Sequence, residues 1–264
     1  MNYWKQSKNY IYVAAHRGLC ARYPENTMES FRAALECGVD QIELDVRITK
    51  DGEAVIVHDD TVDRTSNGSG KVCDMTLEEL RALDFGIKKD PSFAGAKVPT
   101  FREFMDLVKD HPTMTVDVEL KEYPTPGREQ IAFDFCDKIL QIIDEYGFTD
   151  RVVINSFSGK LNEYVYAKYG NKYRQHVFFP VEVLGKCTID PYSYAYCACL
   201  FGGPYMAAKE VFDRMRECGV QSWVGAAVKD AAGVDNAIAN GAVLITCDNP
   251  DVILELLRER GYHK

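Results

Sequence analysis

Eight short runs of β-branched and aromatic residues alternate along this chain with amphipathic segments, and that alternation constrains the fold more than any other feature. It is the pattern of a parallel sheet whose crossovers are helices. The runs are Ile11–Ala15, Gln41–Arg47, Val55–His58, Thr115–Leu120, Val152–Ser156, Val177–Val181, Val220–Val224 and Ala242–Thr246. Parallel strands are covered on both faces, so eight of them point to a closed α/β barrel. Between them, Met28–Cys37 stripes Phe31, Ala34 and Leu35 and stops at Gly38; Glu129–Tyr146 stripes Phe135, Ile139, Ile142 and Ile143; Asp251–Arg260 stripes Val252, Ile253, Leu256 and Leu257. Asn26 with Glu29, Thr76 with Glu79 and Thr100 with Glu103 have capping-box spacing. With 264 residues, 46% of them hydrophobic, the chain can bury one large core, and residues 1–264 are expected to form a single barrel domain.

Two irregularities interrupt the barrel pattern. The link from Arg47 to Val55 is too short for a helix, and Asp51-Gly52 is a strong hairpin signal. Centred there, a two-residue turn sets His58 opposite Asp45 on one sheet face. Residues 59–99 are rich in Gly, Ser, Asp and Thr, with one short helix near Leu77–Leu83, and are expected to form a small lobe inserted after the third strand.

Charge narrows the partners. Lysine and arginine total 31 against 40 acidic residues, a formal charge of −9. Such a surface repels phosphate backbones and anionic headgroups, so no nucleic-acid partner and no stable membrane association are expected. Any phosphate must meet a local cationic site. The nine cysteines are scattered without Cys-x-x-Cys spacing and read as reduced thiols of a cytoplasmic protein. The first ten residues are polar, unlike a signal peptide, and no apolar stretch reaches the roughly 20 residues that span a bilayer.

The chemistry gathers at strand ends. His16-Arg17-Gly18 follows the first strand, at the rim where barrel enzymes assemble their sites. Arg17 offers a planar fork of donors for a phosphate, and Gly18 allows close backbone approach. In the second strand Glu43 and Asp45 share one face; in the fourth run Asp117, Glu119 and Lys121 do the same. Carboxylates turned into a barrel interior repel one another unless a cation sits between them. Glu43, Asp45 and Glu119 suit a hard divalent ion held by oxygen, Mg²⁺ or Ca²⁺, and Lys121 would meet an anion beside it. His58 closes the third run next to Asp59. His111, His176 and His263 read as exposed or capping. Two rim imidazoles, three carboxylates, an arginine and a lysine form a set for acid–base chemistry on a phosphate ester.

The residues His16-Arg17-Gly18, Pro24-Glu25-Asn26-Thr27, Glu43-Leu44-Asp45-Val46, Thr49-x-Asp51-Gly52, His58-Asp59, Asp63-Arg64-Thr65-x-Asn67-Gly68-x-Gly70, Val98-Pro99-Thr100 and Glu119-Leu120-Lys121 resemble the glycerophosphodiester phosphodiesterase family, and Thr246-Cys247-Asp248-Asn249-Pro250 extends the likeness. The resemblance implies a distorted TIM (β/α)8 barrel with Glu43, Asp45 and Glu119 as metal ligands, His16 and His58 as the acid–base pair, and Arg17 and Lys121 on the phosphate. It also implies the reaction: a glycerol hydroxyl attacks phosphorus, a cyclic phosphate forms as the alcohol departs, and water opens it to glycerol 3-phosphate.

Departures concern the substrate. Where the family commonly has Trp-Thr-Val-Asn, this chain reads Trp223-Val224-Gly225-Ala226. Trp223 is a candidate apolar wall for the substrate or else a packed core tryptophan, and Phe157 of Ser156-Phe157 is a candidate glycerol or leaving-group contact. Asp248 reads as a cap for the final helix. Residues 171–210 match no family motif that can be placed, and Tyr192, Tyr194 and Tyr196 alternate as on a strand face. Which imidazole is acid, which ion is bound, which alcohol leaves and what oligomer forms are left open. The competing readings are a phospholipase D-like enzyme on lysophospholipid or another lipid headgroup, and a silent phosphate-binding barrel.

Overall fold

The computed structural model describes Trp4 and residues 9–201 and 207–264. Most of the polar N-terminus and residues 202–206 of the unassigned stretch lie outside the described residues. The strands are β1 (Tyr12–His16), β2 (Gln41–Ile48), β3 (Ala54–Ile56), β4 (Thr115–Leu120), β5 (Val152–Asn155), β6 (Arg174–Phe179), β7 (Cys197–Leu200), β8 (Gln221–Val224) and β9 (Leu244–Cys247). β1, β2 and β4 to β9 pair in parallel in that order, and β9 returns to β1, so the ring closes with eight staves. Around it run α1 (Met28–Cys37), α2 (Leu77–Ala82), α3 (Phe101–Val108), α4 (Glu129–Glu145), α5 (Gly159–Tyr169), α6 (Lys209–Glu217), α7 (Ala231–Asn240) and α8 (Pro250–Glu259). The fold is a TIM barrel. Among the described residues, no helix is long and apolar enough to cross a membrane.

The eight staves are not the eight runs read from the sequence. β3 is an arm that pairs antiparallel with the end of β2 and stands outside the ring. The missing stave is β7, whose Cys-Ala-Cys-Leu carries none of the β-branched bias that marks a strand. It is buried on both faces, so packing alone holds it extended. The tyrosines before it form no strand: Tyr192 lies in a 3₁₀ turn, and Tyr196 leads into β7.

The hairpin also differs. Val46 pairs with Ile56 and Ile48 with Ala54, and the Asp45 carbonyl accepts from Val57, so the register is one residue out from that expected and His58 does not face Asp45 across the ladder. The reason is turn length. Thr49 N donates to Glu53 O at 2.9 Å, leaving a three-residue loop that Gly52 closes at φ 84°. The Thr49 hydroxyl stiffens it by accepting from Glu53 N at 2.8 Å.

Outside the ring, helices bury their apolar stripes on the staves, and Phe31 of α1 meets Phe104 of α3 edge-on at 4.8 Å. Both rings are fully buried, each contributing roughly 2–3 kcal/mol. Thr76 and Thr100 form reciprocal capping boxes. Asn26 does not cap α1; Thr27 does, accepting from Ser30 N. Residues 59–99 wrap a separate apolar cluster around Val55, Val57, Val62, Val72, Leu80, Phe85 and Val98.

Candidate active site

Strand alternation turns His16, Glu43, Asp45, Asp117, Glu119, Asn155 and His176 toward the barrel axis, and the register sets them side by side. His16 aligns with Glu43, Glu43 with Asp117, Asp45 with Glu119, Glu119 with Asn155 and Asn155 with His176. At the carboxyl ends of the staves all of these but Asp45, which is fully buried beside them, line a cavity of about 250 Å³, together with Arg17, His58, Lys121 and Phe157.

Glu43, Asp45 and Glu119 are buried, and oxygens of the three lie within 4.8 Å of one another. Burial and then the charges of Asp45 and Glu119 push the Glu43 carboxyl well above the usual range. Burial also pushes Glu119 up to about 7, against the pull of Lys121. Asp45 is buried too, but Lys121 and Arg17 outweigh that burial and hold it below its ordinary value. Lys121 Nζ lies 3.1 Å from Asp45 Oδ1 and bonds Glu119, Arg17 Nε lies 3.3 Å from Asp45 Oδ2, and Asn26 Nδ2 donates to that oxygen at 2.8 Å. Glu43 gets less: the Arg17 amide donates to its Oε2 at 3.0 Å, and His16 Nε2 is 4.0 Å away. Two cations therefore serve three carboxylates. That is a donor set one positive ion short, and its all-oxygen composition fits a hard divalent cation.

The loop after β1 is bent to make this possible. Arg17 and Asn26 have φ of 55° and 56°, in the left-handed region that non-glycine residues seldom occupy. Each such residue costs about 1 kcal/mol. The Arg17 carbonyl repays part of this by accepting from Asn26 N and Ser30 Oγ, both at 3.0 Å. Gly18, at φ 82°, admits no Cβ, which would fall 2.7 Å from the Ser30 backbone.

Both rim imidazoles are oriented from behind. His16 Nδ1 meets Asp248 Oδ1 at 2.6 Å, and His58 Nδ1 meets Asp59 Oδ1 at 2.6 Å. In each ring Nε2 is left toward the cavity. Burial lowers the His58 pKa, Asp45 and Asp59 opposing it and Lys121 adding to it. Arg64 bonds both Asp59 and Glu25, and Glu25 in turn accepts from Arg17 at 2.8 Å, so the two histidine loops are tied by one chain of charges.

Phe157 lines the cavity and stacks on Phe178 at 4.0 Å. Trp223 does not reach it. Its partners are Cys199 and Leu244, its ring packs on His176 at 4.8 Å and on Trp4 at 6.3 Å, and its indole donates to Gln221. It fills the layer below the site, and Gly225, without a side chain, stands at the mouth instead. Nor is Asp248 a helix cap; the residue preceding α8 at the cap position is Asn249, which makes no side-chain cap bond. His176 is neither exposed nor capping: 4% exposed, it bonds Asp117 through Nδ1 at 2.7 Å, and its Nε2 has no partner. His263 is buried against Tyr10 and Asp40. Asn155 and His176 carried no usable signal, since each sits on a distant stave and only ring closure brings it to the site; Asp248 stood in a motif, but its place against His16 also depends on that closure. Asp59 and Asn26 stood inside the quoted motifs.

The family model for glycerophosphoryl diester phosphodiesterases matches residues 16–192. A glycerophosphodiester phosphodiesterase of Caldanaerobacter subterraneus is 47% identical over 148 residues, 55% of this chain and 58% of that protein. The chain thus spans under two thirds of the length of the curated relatives it matches. Among solved structures, a glycerophosphodiester phosphodiesterase from Agrobacterium tumefaciens superposes with a TM-score of 0.73 at 23% identity, over 92% of this chain and 98% of that one. A phosphodiesterase of Oleispira antarctica, solved in complex with its product sn-glycerol-3-phosphate, gives 0.77 at 21% identity, over 94% and 97%. At these identities the structural matches speak for the barrel alone.

Proposed function

Since the chain belongs to the glycerophosphoryl diester phosphodiesterase family, we propose that it is a phosphoric diester hydrolase that cleaves soluble glycerophosphodiesters to glycerol 3-phosphate and an alcohol. The observation that carries this reading is the pair of imidazoles, His16 on Asp248 and His58 on Asp59, held beside three buried carboxylates in one cavity. A silent binding barrel would have no use for two imidazoles each oriented by its own carboxylate. The net charge of −9 disfavours an anionic lipid surface and so a phospholipase D-like role. The named function of the Caldanaerobacter relative points the same way.

Glu43, Asp45 and Glu119 would hold one divalent cation, Mg²⁺ or Ca²⁺. Bound there, it supplies positive charge to the phosphoryl oxygens as they become more negative. Arg17 and Lys121 face the same oxygens. One imidazole takes the proton of a glycerol hydroxyl at Nε2 as that oxygen attacks phosphorus; the other gives a proton to the departing alcohol. The roles reverse when water opens the cyclic glycerol phosphate. The carboxylates behind Nδ1 fix each ring and stabilise its protonated form. The glycerol end has a fitting niche, where Phe157, Phe178 and Phe201 form an apolar wall and His176 Nε2 and Asn155 Oδ1 are buried without partners. The free thiols agree with a cytoplasmic setting.

Alcohol release from glycerophosphocholine, measured after chelation and on re-adding each ion, tests the reading with His16→Ala and His58→Ala. Loss of turnover by about three orders of magnitude in either variant is expected. Unchanged turnover refutes the roles, and far higher activity on micellar lysolipid refutes the substrate class.

A further inference from the structure

A second cavity, of about 560 Å³, opens beside the first between the inserted residues and the loops that follow β1 and β9. The two share Ala226, and the wall between them is made by the His16–Asp248 and Arg17–Glu25 pairs, whose carboxylates line the second cavity and whose imidazole and guanidinium line the first. A methyl group is all that position 226 places in the opening, and Gly225 beside it has none.

Charge in this second cavity is uneven. Arg64 is neutralised by Glu25 and Asp59, and Asp248 is taken up by His16. Lys88, Lys89 and Lys229 are not neutralised. Lys89 Nζ donates to the carbonyls of Cys20 at 2.7 Å and Ala21 at 3.0 Å, and Lys88 Nζ to that of Asp63. Among the described residues none of the three ammoniums has a carboxylate partner, although the chain carries a net charge of −9. Each ammonium has three donors, so those held by carbonyls keep capacity to spare.

We propose that this cavity receives the departing alcohol and selects alcohols that themselves bear a phosphate. This rests on the phosphodiesterase reading of the first cavity. A diester bound between the imidazoles has its glycerol end against the phenylalanine wall, and Ala226 leaves the other ester arm a path into the lysine-lined space. Three ammoniums, Lys88 and Lys89 from one loop and Lys229 from another, suit the terminal oxygens of a phosphate monoester as point charges. They repel a quaternary ammonium head.

The test compares kcat/KM for glycerophosphoinositol 4-phosphate and glycerophosphoinositol, which differ only in that phosphate, with glycerophosphocholine as the cationic arm. The unsubstituted enzyme is expected to favour the phosphorylated substrate about tenfold or more at low salt, with the preference shrinking as salt rises. Lys229 is exposed and makes no side-chain bond among the described residues, so Lys229→Met isolates its charge and is expected to cut the ratio about two- to fivefold. Lys229→Glu lowers it further. Equal kcat/KM for the inositol pair, or a ratio that Lys229→Glu leaves unmoved, overturns the subsite while leaving the phosphodiesterase reading intact. Failure to cleave any of the three diesters overturns that reading and the subsite with it.

Discussion

Replacing Glu43 by Gln should make the metal-free protein more stable and abolish its response to divalent cations. Glu43 is 5% exposed, and with Asp45 and Glu119 its oxygens fall within 4.8 Å. At that separation two like charges repel by about 3.5 kcal/mol with an effective dielectric constant near 20. Lys121 and Arg17 relieve Asp45 and Glu119, so the unrelieved charge is that of Glu43, whose carboxyl is accordingly raised well above its usual value, burial being the first cause. A carboxyl raised on folding costs stability above its unfolded pKa near 4.3, and the cost grows with pH at up to about 1.4 kcal/mol per unit until the folded pKa is reached. Glutamine keeps the oxygen that accepts from the Arg17 amide and has no proton to lose. In chelator at pH 7.5 the gain should be about 2 kcal/mol, or roughly 6 °C in Tm, vanishing near pH 4. Adding Mg²⁺ or Ca²⁺ at about 100 times its Kd should raise the unsubstituted protein by about 2.7 kcal/mol, reversing the order, and leave Glu43→Gln unmoved. Thermal melts at pH 4, 6 and 7.5, with chelator and with each ion, measure all of this. A variant that melts lower in chelator at pH 7.5, or that responds to the ion as fully as the parent, refutes the crowded-carboxylate argument.

Asp248→Asn should lower kcat roughly 10- to 100-fold while the ion-induced rise in Tm persists, because Asp248 touches His16 and none of the three carboxylates proposed as ligands. In the pH dependence of kcat/KM the limb set by His58, the acid limb if it is the base and the alkaline limb if it is the acid, should lie below pH 6.5, since burial lowers the His58 pKa; Asp59→Asn removes a partner that favours the imidazolium and should move that limb further toward acid, identifying which role His58 plays. Trp223→Phe should cost about 1–3 kcal/mol in denaturant unfolding and change kcat/KM less than twofold, in keeping with a ring packed below the site.

What could be read from the sequence followed from locality. Period-two alternation put Glu43 with Asp45 and Asp117 with Glu119 and Lys121 on common faces, because a strand's geometry is settled by neighbouring residues. Thr76 and Thr100 were legible as caps for the same reason. The barrel was legible as an alternation, yet β7 was missed and β3 counted in its place, since only enclosure by both neighbours makes Cys-Ala-Cys-Leu a strand. The hairpin register turned on one residue of loop length that Asp51-Gly52 does not specify. Asp248, Asn155 and His176 depended on which strands meet around the ring, which no local pattern records. For Trp223, alternation could not choose between substrate wall and packed core, because it tells inward from outward but not depth along the axis.

The seam between β1 and β9 has a consequence for biosynthesis. The three proposed metal ligands and both acid–base imidazoles are translated by residue 121, but the carboxylate that steadies His16 arrives at residue 248, just past the stave that lies against the first. A growing chain on the ribosome therefore carries the whole reactive sequence long before His16 can be aligned. Only the last strand, sliding in beside the first, switches that half of the acid–base pair on.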